Sequence, residues 1–389
     1  MLTDSSFMVG NTYPYTIADW EADIEEASTH EIDGFALNVG KEDWQRDRVA
    51  TCFEAASRSH RPFSLSLSFD MSSIPASTST DIDLLCEYLQ SFGTHPRMFR
   101  YHGKVLVSTF AGESATFGRG SFEQGWKIAK ETMEQIVPVH FVPAFFIDPA
   151  RYPEISSIDG VFNWNGGWPI HLTPAHPRSE IECRTFMAAV SPWFFTFIYR
   201  SDDWLLVRRW EQLIALRDRV DIVQVISWND YGESHYICPT VRGAQPAGSE
   251  AAWLRLNAFF ARVFKTLVDT VEKDEVYLWG RPHPRDASGG GDVVPKPANW
   301  ELTEDVFWVV VLCVAPATVS LSCGGNSKEK TYTVGTGLSK LSHPLQVGAE
   351  MKGVVRRQGV VVAECNAEGF TFVERPEGYN FNAFTAMSS

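Results

Sequence analysis

No stretch of this chain approaches the roughly 20 consecutive apolar residues that a membrane-spanning helix requires. The most apolar run, Val306 to Ala315, is only strand-length. Basic residues are few: 34 Lys and Arg stand against 48 Asp and Glu, a formal net charge of −14. That balance argues against a phosphate backbone or an anionic membrane surface as partner, so neither nucleic acid nor membrane is expected. A neutral polymer would be indifferent to it. No Gly-rich phosphate loop follows any candidate strand, which removes the usual dinucleotide site. The seven cysteines are an odd number and lack zinc-site spacing. Cys313 with Cys323, and Cys183 with Cys238, are candidate disulfides; buried free thiols are the alternative. No Asn-x-Ser/Thr sequon occurs, and no leader peptide follows Met1. The chain is therefore expected to be extracellular or wall-bound if a leader has been removed, and intracellular otherwise. Internal repeats and low-complexity segments are absent.

What is present is an ordinary globular composition, 44% apolar over 389 residues, enough for one large domain and a small one. Eight short, mostly apolar runs read as strands: Phe7 to Thr12, Gly34 to Val39, Phe63 to Phe69, Val105 to Phe110, His140 to Phe146, Gly160 to Asn163, Thr185 to Val190 and Ile222 to Ser227. Helical patterns lie between them. Thr16 and Asp19 resemble a capping box ahead of Trp20, Ile24 and Ala27. Ser121 precedes a stripe of Phe122, Trp126, Ala129, Met133 and Ile136. Strand–helix alternation implies parallel pairing, and eight repeats fit a (β/α)8 TIM barrel over residues 1–272; a doubly wound open sheet is the runner-up. Arg281 to Asn299 holds four Pro and three consecutive Gly, so 273–299 reads as a linker or irregular connection. Short strands at Val306 to Val314, Thr318 to Ser322, Thr331 to Val334, Gly353 to Arg356, Val360 to Cys365 and Phe370 to Val373 then suggest a small antiparallel β-sandwich at 300–389.

In such barrels the reactive groups sit where the strands end. The strand ends here deliver Asn11, Thr12 and Tyr13; Asn38; Asp70; Asn163, Trp164, Asn165 and Trp168; Trp193 and Tyr199; and Trp228, Asn229, Asp230, Tyr231, Glu233 and His235. A lone Asp or Asn at a strand end usually caps the next helix, and Glu113 and Asp148 are read that way. The whole set suits sugar chemistry: rings to stack on, amides and an imidazole for hydroxyls, and two acids to break an acetal. Gly232, between Asp230 and Glu233, is expected to allow a sharp turn. Loss of Trp164 or Trp193 is expected to weaken substrate binding more than folding. No metal or organic cofactor is implied, and a monomer is expected.

Phe7-Met8-Val9-Gly10-Asn11-Thr12-Tyr13, Trp20 to Ile24, Ile32 to Asn38, Ser68-Phe69-Asp70, Asn163-Trp164 and Trp228-Asn229-Asp230-Tyr231-Gly232-Glu233-Ser234 resemble the fungal α-1,3-glucanases, or mutanases, of glycoside hydrolase family 71. The likeness spans the barrel and continues less distinctly beyond it. It implies a barrel followed by a β-sandwich, α-1,3-glucan as substrate, inversion at the anomeric carbon, and Asp70, Asp230 and Glu233 as the important carboxylates. The last strand also resembles the Trp-Asn-acid-x-x-Glu end of the endo-α-mannosidases. That analogy makes Glu233 the general acid and Asp230 the general base, with Asp70 holding hydroxyls or positioning the water. The alternatives are a related glycosidase such as an endo-α-mannosidase, and a non-catalytic carbohydrate-binding barrel.

Overall fold

A computed structural model describes residues 2–168, 184–195, 199–200, 202–239, 251–292, 296–324 and 329–389. The chain forms two units, Met1–Val190 with Gln212–Trp228, and Ser191–Glu211 with Asn229–Ser389.

The first unit contains eight parallel strands: β1 Leu2–Met8, β2 Gly34–Val39, β3 Ser64–Asp70, β4 Lys104–Phe110, β5 Val139–Ala144, β6 Gly160–Asn163, β7 Thr185–Val190 and β8 Ile222–Val225. They pair in the order β5-β4-β3-β2-β1-β8-β7-β6. The sheet is curled; among the described residues α-helices separate most successive strands, while only 3-10 turns follow β5 and β6. Among the described residues its edges, β5 and β6, are joined by Asp159 rather than by a ladder. The Asp159 N–H donates to the Phe141 carbonyl (2.8 Å), and its carboxylate accepts from Phe141 N–H (2.8 Å) and Lys130 (2.7 Å).

Helices α1 Ile17–Thr29, α2 Trp44–Arg58, α3 Ile82–Phe92 and α4 Phe122–Met133 return the chain between strands. The Thr16–Asp19 capping box opens α1, and Trp20, Ile24 and Ala27 are buried along it. Ser121 caps α4, which buries Phe122, Trp126, Ala129 and Met133. Two glycines permit close strand approach. A Cβ on Gly34 would lie 2.3 Å from the Ser64 carbonyl oxygen, and one on Gly160 2.4 Å from that of Thr185.

The first strand lies earlier than its apolar signal. Residues Leu2–Met8 form β1, and Val9–Asn11 turn in a 3-10 helix instead of extending to Thr12. Thr3, Asp4, Ser5 and Ser6 are all buried there, because both neighbours supply ladder partners; Asp4 pairs with Gln224 on one side and Gly34 on the other.

In the second unit, helix α5 Leu205–Ala215 begins after the short pairing of Phe194–Phe195 with Tyr199–Arg200, and helix α6 is Ala251–Thr266. Only the part of α5 up to Glu211 belongs to this unit. Strands β9 Glu275–Gly280, β10 Val306–Cys313, β11 Ala317–Cys323, β12 Lys330–Val334, β13 Gly337–Pro344, β14 Met351–Arg357, β15 Val360–Asn366 and β16 Phe384–Met387 follow. They form two antiparallel sheets, β13-β10-β9-β16 and β12-β11-β14-β15. One apolar core, including Val276, Leu278, Phe307, Val309, Leu321 and Met351, is shared by them.

Four expectations are corrected. Residues 275–280 are not linker but a strand paired on both sides, with β10 and β16. The unit also includes 191–211 and 229–272, which the sequence reading gave to the barrel. Phe370 to Val373 is not a strand; Phe370 and Phe372 bury their rings from an irregular segment. Cys313 is a buried free thiol, so it forms no disulfide with Cys323. Cys183 lies outside the described residues.

Candidate active site

The chain leaves β8 through a cis Ile226–Ser227 peptide, and the Trp228 N–H returns to the Ser6 carbonyl at 2.7 Å. Trp228 is fully buried, its ring 5.2 Å from that of Phe35. Asn229 to Tyr236 then fold into a compact turn in the second unit. Tyr231 N–H donates to Asn229 O (3.0 Å) and Ser234 N–H to Tyr231 O (3.3 Å). The residue of this turn in the left-handed conformation is Ser234, at φ 57°.

This turn aims two carboxylates at one imidazole. His235 Nε2 lies 2.9 Å from Glu233 Oε2 and 3.4 Å from Asp230 Oδ2. The Glu233 N–H also approaches Asp230 Oδ1 at 3.4 Å. His235 is fully buried, with the Phe194 ring 5.4 Å away, whereas the Asp230 and Glu233 side chains are 21% and 41% exposed. Burial opposes a charge on the ring. The Asp230 and Glu233 carboxylates outweigh it and raise the pKa from 6.5 to about 9. At neutral pH the ring is thus an imidazolium clasped by two acids.

Asp230, Glu233 and His235 each offer a ligand atom within 4.8 Å of the others, a spacing a cation could use. A cation bound there would have to displace the proton from the His235 ring. The nearest acid oxygens, within the same 4.8 Å, stand closer than the ~6.5–9.5 Å at which an inverting pair admits a water. The sugar-free spacing is nearer the ~5 Å of a retaining pair than that of the inverting pair the family resemblance implies.

The other expected residues fall into two groups. Several are open to solvent: Asn11, Tyr13 (67% exposed), Asn163 and Asn165. Asn163 also caps the following turn by accepting from Gly166 N–H (3.0 Å). Asp70, half-buried at the end of β3, accepts from the Ser72 N–H (3.0 Å) and hydroxyl (2.6 Å). Asn38 is buried and donates to the Ser68 hydroxyl (3.1 Å). Asp148 accepts locally from Ala150 N–H, whereas Glu113 accepts from the N–H of Phe146, 33 residues away in sequence.

The second group is packed away. Trp164, Trp168, Trp193, Trp228, Asn229 and Tyr231 are 0–6% exposed. Trp164 wedges between Phe110 and Phe162, and Trp193 donates its indole N–H to the Phe381 carbonyl (2.8 Å). Such rings present no face for a sugar, which corrects the stacking roles expected of them. The Tyr199 side chain lies outside the described residues. One aromatic was missed: Trp44, half-buried at the start of α2, meets the exposed Tyr13 ring edge-on at 5.2 Å. Its position soon after the Asn38 strand end was the available signal.

A curled β/α sheet ending in a paired-carboxylate turn is the architecture of a sugar-cleaving enzyme. The chain matches the Glycosyl hydrolase family 71 profile over residues 3–389 and belongs to that family. It is 35% identical over 407 residues to the glucan endo-1,3-alpha-glucosidase agn1 of Schizosaccharomyces pombe, covering 98% of this chain and 93% of that one. A mutanase of Penicillium rubens is 30% identical over 413 residues, covering 98% and 87%. Among solved structures, a GH99 endo-alpha-mannosidase from Bacteroides thetaiotaomicron superposes with a TM-score of 0.56 at 13% identity, over 69% of this chain and 99% of that one. At that identity the likeness concerns the fold alone.

Proposed function

We propose that the chain cleaves α-1,3-glucosidic bonds within α-1,3-glucan, as an endo-acting, inverting hydrolase. One observation carries the reading: two carboxylates held on one buried imidazolium. They occur in a chain 35% identical, nearly end to end, to a glucan endo-1,3-alpha-glucosidase. The proton on His235 Nε2 passes to Glu233, the more exposed acid, and from it to the glycosidic oxygen as the bond to the anomeric carbon breaks, leaving a neutral imidazole. Asp230 takes a proton from the water that attacks the opposite face, so the α-linkage yields a β-configured end. In the sugar-free state both acids lean on His235. Substrate binding draws Glu233 off Nε2 and opens the gap for water; catalytic contacts often take their working geometry only with substrate bound. Asp70 serves sugar hydroxyls.

The sequential order of eight parallel strands supports closure as a (β/α)8 barrel. The substrate read for it places the enzyme outside the cell, on wall glucan, and we read it as a monomer. The test is incubation with α-1,3-, α-1,4- and β-1,3-glucans while NMR follows the newly formed anomer. The β-anomer should appear first, from the α-1,3-polymer. Release from another polymer alone refutes the substrate, and the α-anomer first refutes the inversion.

A further inference from the structure

Among the described residues only two Phe, Tyr or Trp side chains stand out into solvent, Tyr13 at 67% and Phe146 at 37% exposure. A single exposed ring is ordinary on a protein surface. These two share one place in the fold. Both follow the C-terminal end of a strand of the first unit, Tyr13 after β1 and Phe146 after β5. In the sheet order β1 and β5 are four places apart. Asp159 brings the sheet's edges together, so eight strand positions run round the curl and these two fall on opposite sides of it. The rings therefore flank the strand ends from facing sides. Asp70, at the end of β3, lies midway between them in that order.

Each ring is steadied from one side. Tyr13 meets the half-buried Trp44 ring edge-on, at 5.2 Å and 89°. Phe146 meets Phe110, the last residue of β4, at 5.2 Å and 75°, and Phe110 leans in turn on the buried Trp164 ring at 4.9 Å. The Phe146 backbone is fixed as well, its N–H donating to Glu113 Oε2 (3.2 Å). An edge-on neighbour occupies at most one face of a ring, and the exposure of Tyr13 and Phe146 leaves the other to solvent. A pyranose suits such a face: its C–H side stacks on the flat ring while its hydroxyls stay in water or reach polar groups. Two platforms on opposite flanks, with a carboxylate between them, suit an extended sugar chain better than one small molecule.

We propose that Tyr13 and Phe146 are stacking platforms for glucosyl units on opposite sides of the bond that is cleaved, so that the α-1,3-glucan chain crosses the strand ends from one to the other. The inference rests on the substrate reading given above. The test digests a reducing-end-labelled α-1,3-linked hexasaccharide with the full-length protein and with Tyr13→Ala and Phe146→Leu. Leu keeps an apolar contact for Phe110 and removes the flat face; melting temperature checks that both variants fold. Losing a platform disfavours the binding registers that use it. Each variant should therefore cut at a different bond from the wild type, and the two should shift in opposite directions along the chain. Each should also lower kcat/KM on the hexasaccharide about tenfold, and the loss should shrink as the substrate is shortened. A variant with the wild-type cleavage pattern overturns the role of that ring. Shifts in the same direction, or an equal loss at every chain length, overturn the proposal. A wild-type protein that releases no sugar from the hexasaccharide or the polymer overturns the substrate reading, and with it the ligand assigned to these rings.

Discussion

His235 Nε2 stands 2.9 Å from Glu233 Oε2, so the charge that steadies one acid of the site is an imidazolium sealed from solvent. The folded protein holds that proton up to about pH 9, while an unfolded histidine releases it near 6.5. A raised histidine pKa adds stability that is complete below about 6.5 and lost as pH rises through about 9. The amount at stake is about 3 kcal/mol. Melting temperature should fall across that window in the wild type, and the fall should flatten in His235→Gln. Parallel pH profiles for the two proteins would show that the ring is not charged in the fold.

The fold holds Asp4 in its neutral form, where it holds His235 in its charged form. Burial, opposed by a hydrogen bond from Gln224 and reinforced by Asp33, pushes its pKa from 3.8 to about 7. Asp4 Oδ1, Ser6 Oγ and Gln224 Oε1 are buried without partners among the described residues. Above about pH 4 the unfolded carboxyl ionises while the folded one resists until about 7, so the wild type loses stability over that range. Asp4→Asn should therefore raise the melting temperature at pH 7.5 and have little effect at pH 3.5. An equal effect at both pH values would contradict a protonated Asp4.

Trp164 and Trp193 belong to the core rather than to a sugar platform. Truncating either to Ala should cost about 3–5 kcal/mol of stability, the range for buried aromatics. Chemical denaturation measures this directly. A near-native unfolding midpoint with a raised KM would return these rings to the substrate.

Much of this was legible in the sequence where pattern and burial coincide. Gly34–Val39 reads as a strand buried on both faces and is one. The Thr16–Asp19 pair announces α1, and the Asp230-to-His235 run announces the acid cluster. Legibility failed where tertiary partners override composition. Thr3 to Ser6 look like a polar lead-in, but two flanking strands bury them. Gly337–Pro344 has weak alternation and is a strand because β10 pairs along its whole length. The tryptophans misled for a related reason: residue type suggests stacking, whereas exposure depends on neighbours such as Phe110 and Phe162 that lie far away or unmarked in the sequence.

The most direct test of the central claim is the turnover of Glu233→Gln and Asp230→Asn on α-1,3-glucan, with melting temperature as the check on folding. Each variant should stay folded and lose at least ~10³-fold in kcat, near the middle of the range for acid–base assistance. A folded variant of either kind that turns over at close to the wild-type rate would contradict the account.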